Sequence, residues 1–309
     1  MEATNRRADL TPLEQKHTDL MQRLAGSLAD TPSVLKGGTA LMLSYGLDRF
    51  SEDLDFDSTK ALNLEKRIND AADKEGIKIE SIRLKKDTDT TKRYVVFYES
   101  EHGAGRLKIE TSLRADVIPE DQTTTVNGIK TYKVENLVSQ KLEALEGRSK
   151  VRDLYDINFL ADKYPEAFTK AQAEKLSSLT HDPDYLSSRF KADHSGDNIL
   201  KSQSLDSLVL STQYNAESLQ ERASNRVAAQ DFLKMDQGDF IKKHPDLAPH
   251  VAAVSAIEKK LASEPMTDKQ RQTAMQRVRE NAANSIQEGV KPDIKLKTQT
   301  QNLKNDLSR

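Results

Sequence analysis

Leu35-Lys36-Gly37-Gly38-Thr39-Ala40-Leu41, followed by Arg49-Phe50-Ser51-Glu52-Asp53-Leu54-Asp55-Phe56, is the stretch on which the reading of this chain turns. Val34-Leu35 is a short apolar run that suits a buried strand. Gly37-Gly38 then supplies a turn, and Thr39 to Tyr45 places Leu41, Met42 and Tyr45 at helical spacing. The pattern is strand, tight turn, helix. Glycines at such a turn let the backbone approach a bulky anion, and the unpaired N–H groups opening the helix favour negative charge. The turn lacks the Gly-Lys-Ser/Thr ending of a P-loop, which argues against a Walker-type ATPase.

Asp53-Leu54-Asp55-Phe56 sharpens the picture. In a strand, alternate side chains share a face, so Asp53 and Asp55 point one way while Leu54 and Phe56 point into the core. Adjacent carboxylates repel each other unless a cation neutralises them, and oxygen ligands suit Mg²⁺ or Mn²⁺. The bland alternative for an isolated Asp-x-Asp is a charged strand end facing solvent. After a Gly-Gly turn and a helix, the metal site is the better reading.

Working outward, Thr11-Pro12-Leu13-Glu14 reads as a capping box with proline at the first helical position, opening a helix to about Ala29. Asn63 is read as the cap of an amphipathic helix that stops at Gly76. Three strand-like runs follow, Ile77 to Leu84, Tyr94 to Tyr98 and Leu107 to Leu113. Polar turns are expected at 85–92 and at His102-Gly103-Ala104-Gly105. Asn127-Gly128 between two Thr-rich runs is a hairpin signal. Two helices come next, Val134 to Glu146 and Val151 to Tyr164, each with an apolar stripe. Beyond Tyr164 the signals thin to short helices near 170–179, 200–210, 216–235 and 247–262, with a loop at 193–198.

Gly37-Gly38-Thr39-x-Leu41 with Arg49-x-Ser51-x-Asp53-Leu54-Asp55-Phe56 resembles the AbiEii/AbiGii-type toxins. These form a branch of the polymerase-β-type nucleotidyltransferases found in toxin–antitoxin and abortive-infection systems. The later block Lys141-Leu-Glu-Ala-Leu, with Arg148-x-Lys150-x-Arg152-Asp153-Leu-Tyr155-Asp156, is similar to that family's last two motifs. The resemblance implies an α+β fold: a small mixed sheet with flanking helices, followed by an all-α C-terminal half. It also implies a third carboxylate from a later strand, where Lys108-Ile109-Glu110 stands. Glu110 is therefore either that carboxylate or one member of a surface Lys/Glu alternation. The metal set is then Asp53, Asp55 and Glu110, with Gly37, Gly38, Thr39, Arg49, Ser51 and Lys141 binding the nucleotide. A lysine on a helix's apolar face is costly unless it meets an anion, so Lys141 is either a phosphate ligand or a residue snorkelling from the edge of the stripe. Asp153 and Asp156 lie at i and i+3 on one face. One would orient Lys141 or activate the incoming group; the other would pair with Arg148 or Arg152.

The function implied is Mg²⁺-dependent transfer of a nucleoside monophosphate from an NTP to an acceptor hydroxyl, the 3′ end of tRNA by family resemblance, with a cognate antitoxin as partner. Two alternatives stand beside it: AMPylation of a protein hydroxyl, and a non-catalytic binding module of a mobile element.

At 309 residues, 36% hydrophobic and a mean hydropathy of −0.71, the apolar residues must be concentrated, and they crowd the first half. The domains expected are 1–133 for nucleotide transfer, 134–262 helical, and 263–309 a polar flexible tail. A formal charge of −2 gives no global basic signature, so nucleic-acid contact needs a local patch. No cysteine is present, which excludes disulfides and thiolate metal sites. The histidines show no ligand spacing, and no run approaches membrane-spanning length, so a cytoplasmic location is expected.

Overall fold

The capping signal at Thr11 is realised in the computed structural model, which describes residues 10–292. The Thr11 hydroxyl accepts from the Glu14 amide and the Glu14 carboxylate accepts from the Thr11 amide, opening α1 (Pro12–Gly26). The chain then runs through β1 (Val34–Lys36), α2 (Gly37–Tyr45), β2 (Asp53–Asp57), α3 (Glu65–Lys74), β3 (Lys78–Thr88), β4 (Thr91–Ser100) and β5 (Gly103–Ser112). The hairpin β6 (Thr123–Val126) and β7 (Ile129–Tyr132) follows, and then helices α4 (Val134–Gly147) and α5 (Val151–Lys163).

The strands form one seven-stranded mixed sheet in the order β3-β4-β5-β2-β1-β7-β6. β3, β4 and β5 are consecutive antiparallel neighbours, β2 pairs parallel with β5, and β1 lies antiparallel to β2 and parallel to β7. One face of the sheet is apolar. Leu54, Phe56, Tyr94, Val96, Tyr98, Leu107 and Ile109 are all buried on it, and α1 packs there through Leu20, Met21 and Leu24. His17 of α1 fixes the contact. Its Nε2 lies 2.9 Å from the Glu52 carbonyl and must donate to it, so Nδ1 accepts from the Tyr98 hydroxyl at 2.7 Å. The opposite face carries the charged alternates of each strand, Asp53 and Asp55 among them.

The Asn127-Gly128 turn has positive φ at both residues (53° and 76°), as a two-residue hairpin loop with the native twist requires. Two expected turns shrink. Residues 85–92 are mostly strand, with only Asp89-Thr90 at the tip, and Gly103 to Gly105 open β5 instead of lying in a loop. Cross-strand pairing extends both strands past the point where local propensity ends.

The helical half differs more. α6 (Lys170–Thr180) and α7 (Pro183–Gly196) are followed by a single helix, α8 (Leu205–Lys234), where two short ones are expected. No Gly or Pro interrupts 205–234, so nothing in that segment stops a helix. The expected loop at 193–198 is largely the last turn of α7.

The chain divides into two compact units, Met1–Leu219 and Gln220–Arg309. The second contains α9 (Gln237–Lys243), α10 (Ala248–Ala262) and α11 (Asp268–Gln287). Its core joins Phe232, Phe240, Val251, Val254, Ala283 and Ile286, with the two phenylalanine rings edge to face at 5.1 Å. The flexible tail expected over 263–309 therefore contains an ordered helix. α11 opens with a capping box between Thr267 and Gln270 and seats Met275, Val278, Ala282 and Ile286 against that core. Spacings of three and four make this a narrow stripe, easily lost in a polar sequence. The remainder of the expected tail, beyond 292, lies outside the described residues.

Gly105 gives a direct test of the sheet. It pairs with Tyr98 across β4–β5, and a Cβ there would overlap the Tyr98 ring. Gly105→Ala should displace the ring, weaken its hydrogen bond to His17 and cost about 1–3 kcal/mol in urea denaturation. Exposed Ala104→Ser, the neighbouring control, should leave the midpoint unchanged.

Candidate active site

Alternation along β2 puts Asp53, Asp55 and Asp57 on the face away from α1, with Leu54 and Phe56 buried beneath them. Parallel pairing then sets Lys108 beside Asp53 and Glu110 beside Asp55. On the other flank Lys36 of β1 is the register partner of Asp55. The carboxylates are surrounded by cations. Lys108 Nζ lies 2.7 Å from Asp53, Arg93 Nε donates to Glu110 at 2.6 Å, and Lys36 Nζ lies 2.5 Å from Asp57. Asp55 is different: among the described residues it has neither a hydrogen bond nor an ion pair within contact distance. Burial pushes its pKa up. Lys108 and Lys36 offset part of that rise, while Asp53 and Glu110 add to it. The Lys108 ammonium moves up as well, because its hydrogen bond and attraction to Asp53 outweigh its own desolvation.

The Gly-Gly turn faces this strand. Gly37 has φ of 73°, and a Cβ on it would stand 3.7 Å from Asp55 Oδ2. At Gly38 a Cβ would overlap the Arg49 guanidinium, so glycine is needed there for close approach. No side chain caps the start of α2, which leaves its first N–H groups available. Thr39 gives its single hydroxyl proton to the Asp53 carbonyl, so Ser51, 2.7 Å away, must donate to Thr39. Both hydroxyls are thereby spent on holding α2 to β2.

The second motif block meets the first through Arg49. Its Nε and Nη2 donate to the two oxygens of Asp156, each at 2.7 Å, and Nη1 donates to the Phe50 carbonyl at 3.1 Å. Lys141 on α4 lies 2.6 Å from Asp156 and 3.0 Å from Asp153, and Arg148 donates to Asp153 at 2.6 Å. This network is dry: Asp156 is 0% exposed and Asp153 2%. Burial alone would raise the Asp156 pKa, yet Lys141 and Arg49 more than compensate and hold it below the usual carboxylate range. Arg148 is the exception, with most of its side chain in solvent and its charge near enough to Asp55 to be stabilised by it. Arg152 reaches Asp197 and Glu52, and Lys150 reaches Asp193.

Among the described residues no three His, Asp or Glu side chains converge tightly enough to hold a metal ion in this arrangement. The cause is local: Asp53 turns to Lys108 and Glu110 to Arg93. The donor chemistry nevertheless fits a hard divalent cation. Asp53, Asp55 and Glu110 are oxygen-only ligands on adjacent strands, and Asp55 is half-buried without a paired cation.

A family model for the nucleotidyl transferase AbiEii toxin of type IV toxin–antitoxin systems matches residues 19–282. The chain belongs to the AbiEii toxin family. Its fold is similar to that of JHP933 from Helicobacter pylori, at 35% identity and a TM-score of 0.68, over 74% of this chain and 100% of that one. A second H. pylori crystal structure, of a protein provisionally named a nucleotidyltransferase, is 37% identical with a TM-score of 0.65, over 70% and 98% of the two chains. A search of curated proteins found no match. As an AbiEii family member the chain is a nucleotidyltransferase of the toxin class. No described helix is long and apolar enough to cross a membrane.

In this AbiEii protein Asp53, Asp55, Glu110, Gly37 and Gly38 come together on one side of the sheet, with Arg148 close by. Lys141, Asp153, Asp156 and Arg49 come together as a buried ion network, and Thr39 and Ser51 as a hydroxyl pair. The cations Lys36, Arg93 and Lys108 escaped the sequence reading. Lys108 was visible as the alternate of Glu110, but its partner lies on a strand more than fifty residues earlier, which no local pattern names.

The network predicts a large difference between its members. Asp156→Ala strands two buried cations and should cost about 3–5 kcal/mol in urea denaturation. Arg148→Ala removes a largely exposed partner and should cost less than about 1 kcal/mol.

Proposed function

We propose that this protein transfers a nucleoside monophosphate from an NTP to an acceptor hydroxyl, with the 3′ end of tRNA as acceptor, and is neutralised by a cognate antitoxin. The observation that carries the reading is the carboxylate set: Asp53 and Asp55 share a face, Glu110 stands in register with Asp55, and the Gly-Gly turn lies against Asp55. Bound to Asp53, Asp55 and Glu110, Mg²⁺ or Mn²⁺ would neutralise phosphate charge and lower the proton affinity of the acceptor hydroxyl.

The chain's own groups do the rest. The triphosphate is received by the uncapped start of α2, where backbone N–H groups and the helix dipole favour anions, with Gly37 and Gly38 allowing close approach. Arg148, exposed and near Asp55, is the cation best placed to reach outward to the leaving phosphates. Lys141 adds positive charge behind it while Asp153 and Asp156 hold it in place. Arg49 and Ser51, assigned to the nucleotide on sequence, act here by positioning: Arg49 bridges Gly38 to Asp156, and Ser51 anchors Thr39. In the reaction the acceptor oxygen bonds to the α-phosphorus, the bond to the β-phosphate oxygen breaks and pyrophosphate leaves. The hydroxyl proton, acidified beside the cation, leaves to solvent. Such transfers depend mainly on positioning and charge neutralisation.

The test is incubation with each labelled NTP, Mg²⁺ and total tRNA. Label on RNA is expected; label on protein and never on RNA would instead establish AMPylation. Asp55→Asn should abolish labelling without lowering the thermal midpoint, because it removes a half-buried, partly desolvated charge that lacks a paired cation. Lys141→Ala should lower the thermal midpoint, because it removes a partner of buried Asp153 and Asp156, and should slow transfer by about a hundred- to thousandfold at temperatures where the variant is folded. Near-wild-type transfer by Lys141→Ala would restrict that lysine to a structural role.

A further inference from the structure

The carboxylates occupy only one end of the charged face of the sheet. Register extends that face in rows across the strands. One row runs Asp55, Glu110, Arg93, Lys86, and the next runs Asp53, Lys108, Val95, Arg83. A third row places Arg106 opposite Phe97. The face is thus acidic at β2 and basic towards β3. Arg93 and Lys108 are engaged by Glu110 and Asp53. Arg83, Lys86 and Arg106 are exposed and form no ion pair among the described residues. Phe97, part-exposed, lies between the basic positions, with the Arg83 guanidinium 5.0 Å from its ring centroid.

We infer that this face of β3, β4 and β5 is the seat of the acceptor strand, binding single-stranded RNA with its backbone along Arg83, Lys86 and Arg106 and a base against the stacked Arg83–Phe97 pair. Lysine on an edge strand commonly guards against aggregation, which would account for Lys86. It does not account for Arg106, which lies on an interior strand, or for a part-exposed aromatic ring stacked with a guanidinium on the charged face. Charge complementarity favours a polyanion. A flat sheet face with an aromatic favours splayed bases over a duplex, because stacking needs an unpaired base. At about 4.8 Å per strand, Phe97 lies about 10 Å across the sheet from Asp55 and about four residues along it. A strand seated on the ring can therefore bring its 3′ end to the carboxylates. In a chain of net charge −2, these three exposed cations supply the local basic patch that nucleic-acid contact needs.

The inference rests on the acceptor being RNA, and the experiment separates the two claims. Fluorescence anisotropy of a short labelled single-stranded oligoribonucleotide, and of the same sequence as a blunt duplex, would be measured against salt for the full chain. The variants are Arg83→Gln/Lys86→Gln/Arg106→Gln and Phe97→Leu, each with a thermal midpoint and the affinity for a fluorescent NTP as controls. Wild type should prefer the single strand. The triple variant should lower the log–log salt slope by about 2, the value for three contacts to a single strand. Phe97→Leu should weaken binding about tenfold with the slope unchanged, as loss of one stacked base does. NTP affinity should not change in either variant. Wild-type RNA binding with both variants unaltered would overturn this surface while leaving an RNA acceptor standing. Wild type that binds no RNA would overturn both. Variants that lose only neutralisation by the antitoxin would overturn it in favour of a protein-docking face.

Discussion

The parallel pairing of β2 with β5 is the constraint from which the site follows. It sets Glu110 beside Asp55 and Lys108 beside Asp53, on strands about 4.8 Å apart. At that separation two carboxylates repel by about 3 kcal/mol at an effective dielectric of about 20. The fold answers with a ring of cations: Lys36 from one neighbouring strand, Lys108 and Arg93 from the other side. Asp55 is left at the centre with a raised pKa.

A second layer of charge holds the two sequence blocks together. Arg49 packs over Gly38 and grips Asp156, which also receives Lys141. Buried ion pairs add little net stability compared with apolar packing, yet removing one partner is costly. Such a network specifies geometry: it ties the glycine start of α2 to helices α4 and α5, far along the chain. The glycine start of α2 and helices α4 and α5 therefore cannot move independently without breaking the Asp156 ion pairs.

Much of this was legible. The capping box at Thr11, the Asn127-Gly128 hairpin, the alternation of β2 and the stripes of α4 and α5 are local patterns, and each formed where its chemistry demanded. The readings that shifted were those where neighbours override local preference. β3 and β4 run past their apolar stretches because each supplies the other's hydrogen bonds. α8 is continuous because nothing breaks it, and α11 is held by a stripe too thin to stand out in a polar segment. Lys141 sits on the buried face as its spacing requires, but the partners it meets first are Asp153 and Asp156.

The amino-acid sequence by itself determined the alternation that puts Asp53 and Asp55 on one face and the glycine turn before them, because these depend on neighbours a few residues apart. It also carried the motifs by which the family is recognised. Tertiary structure decided which charges meet. That Asp53 faces Lys108, that Glu110 lies level with Asp55 and that Arg49 closes on Asp156 depend on strand order, register and helix packing. Those are set by contacts between segments far apart in the chain, and electrostatics acts through distance in space, to which local sequence patterns are blind.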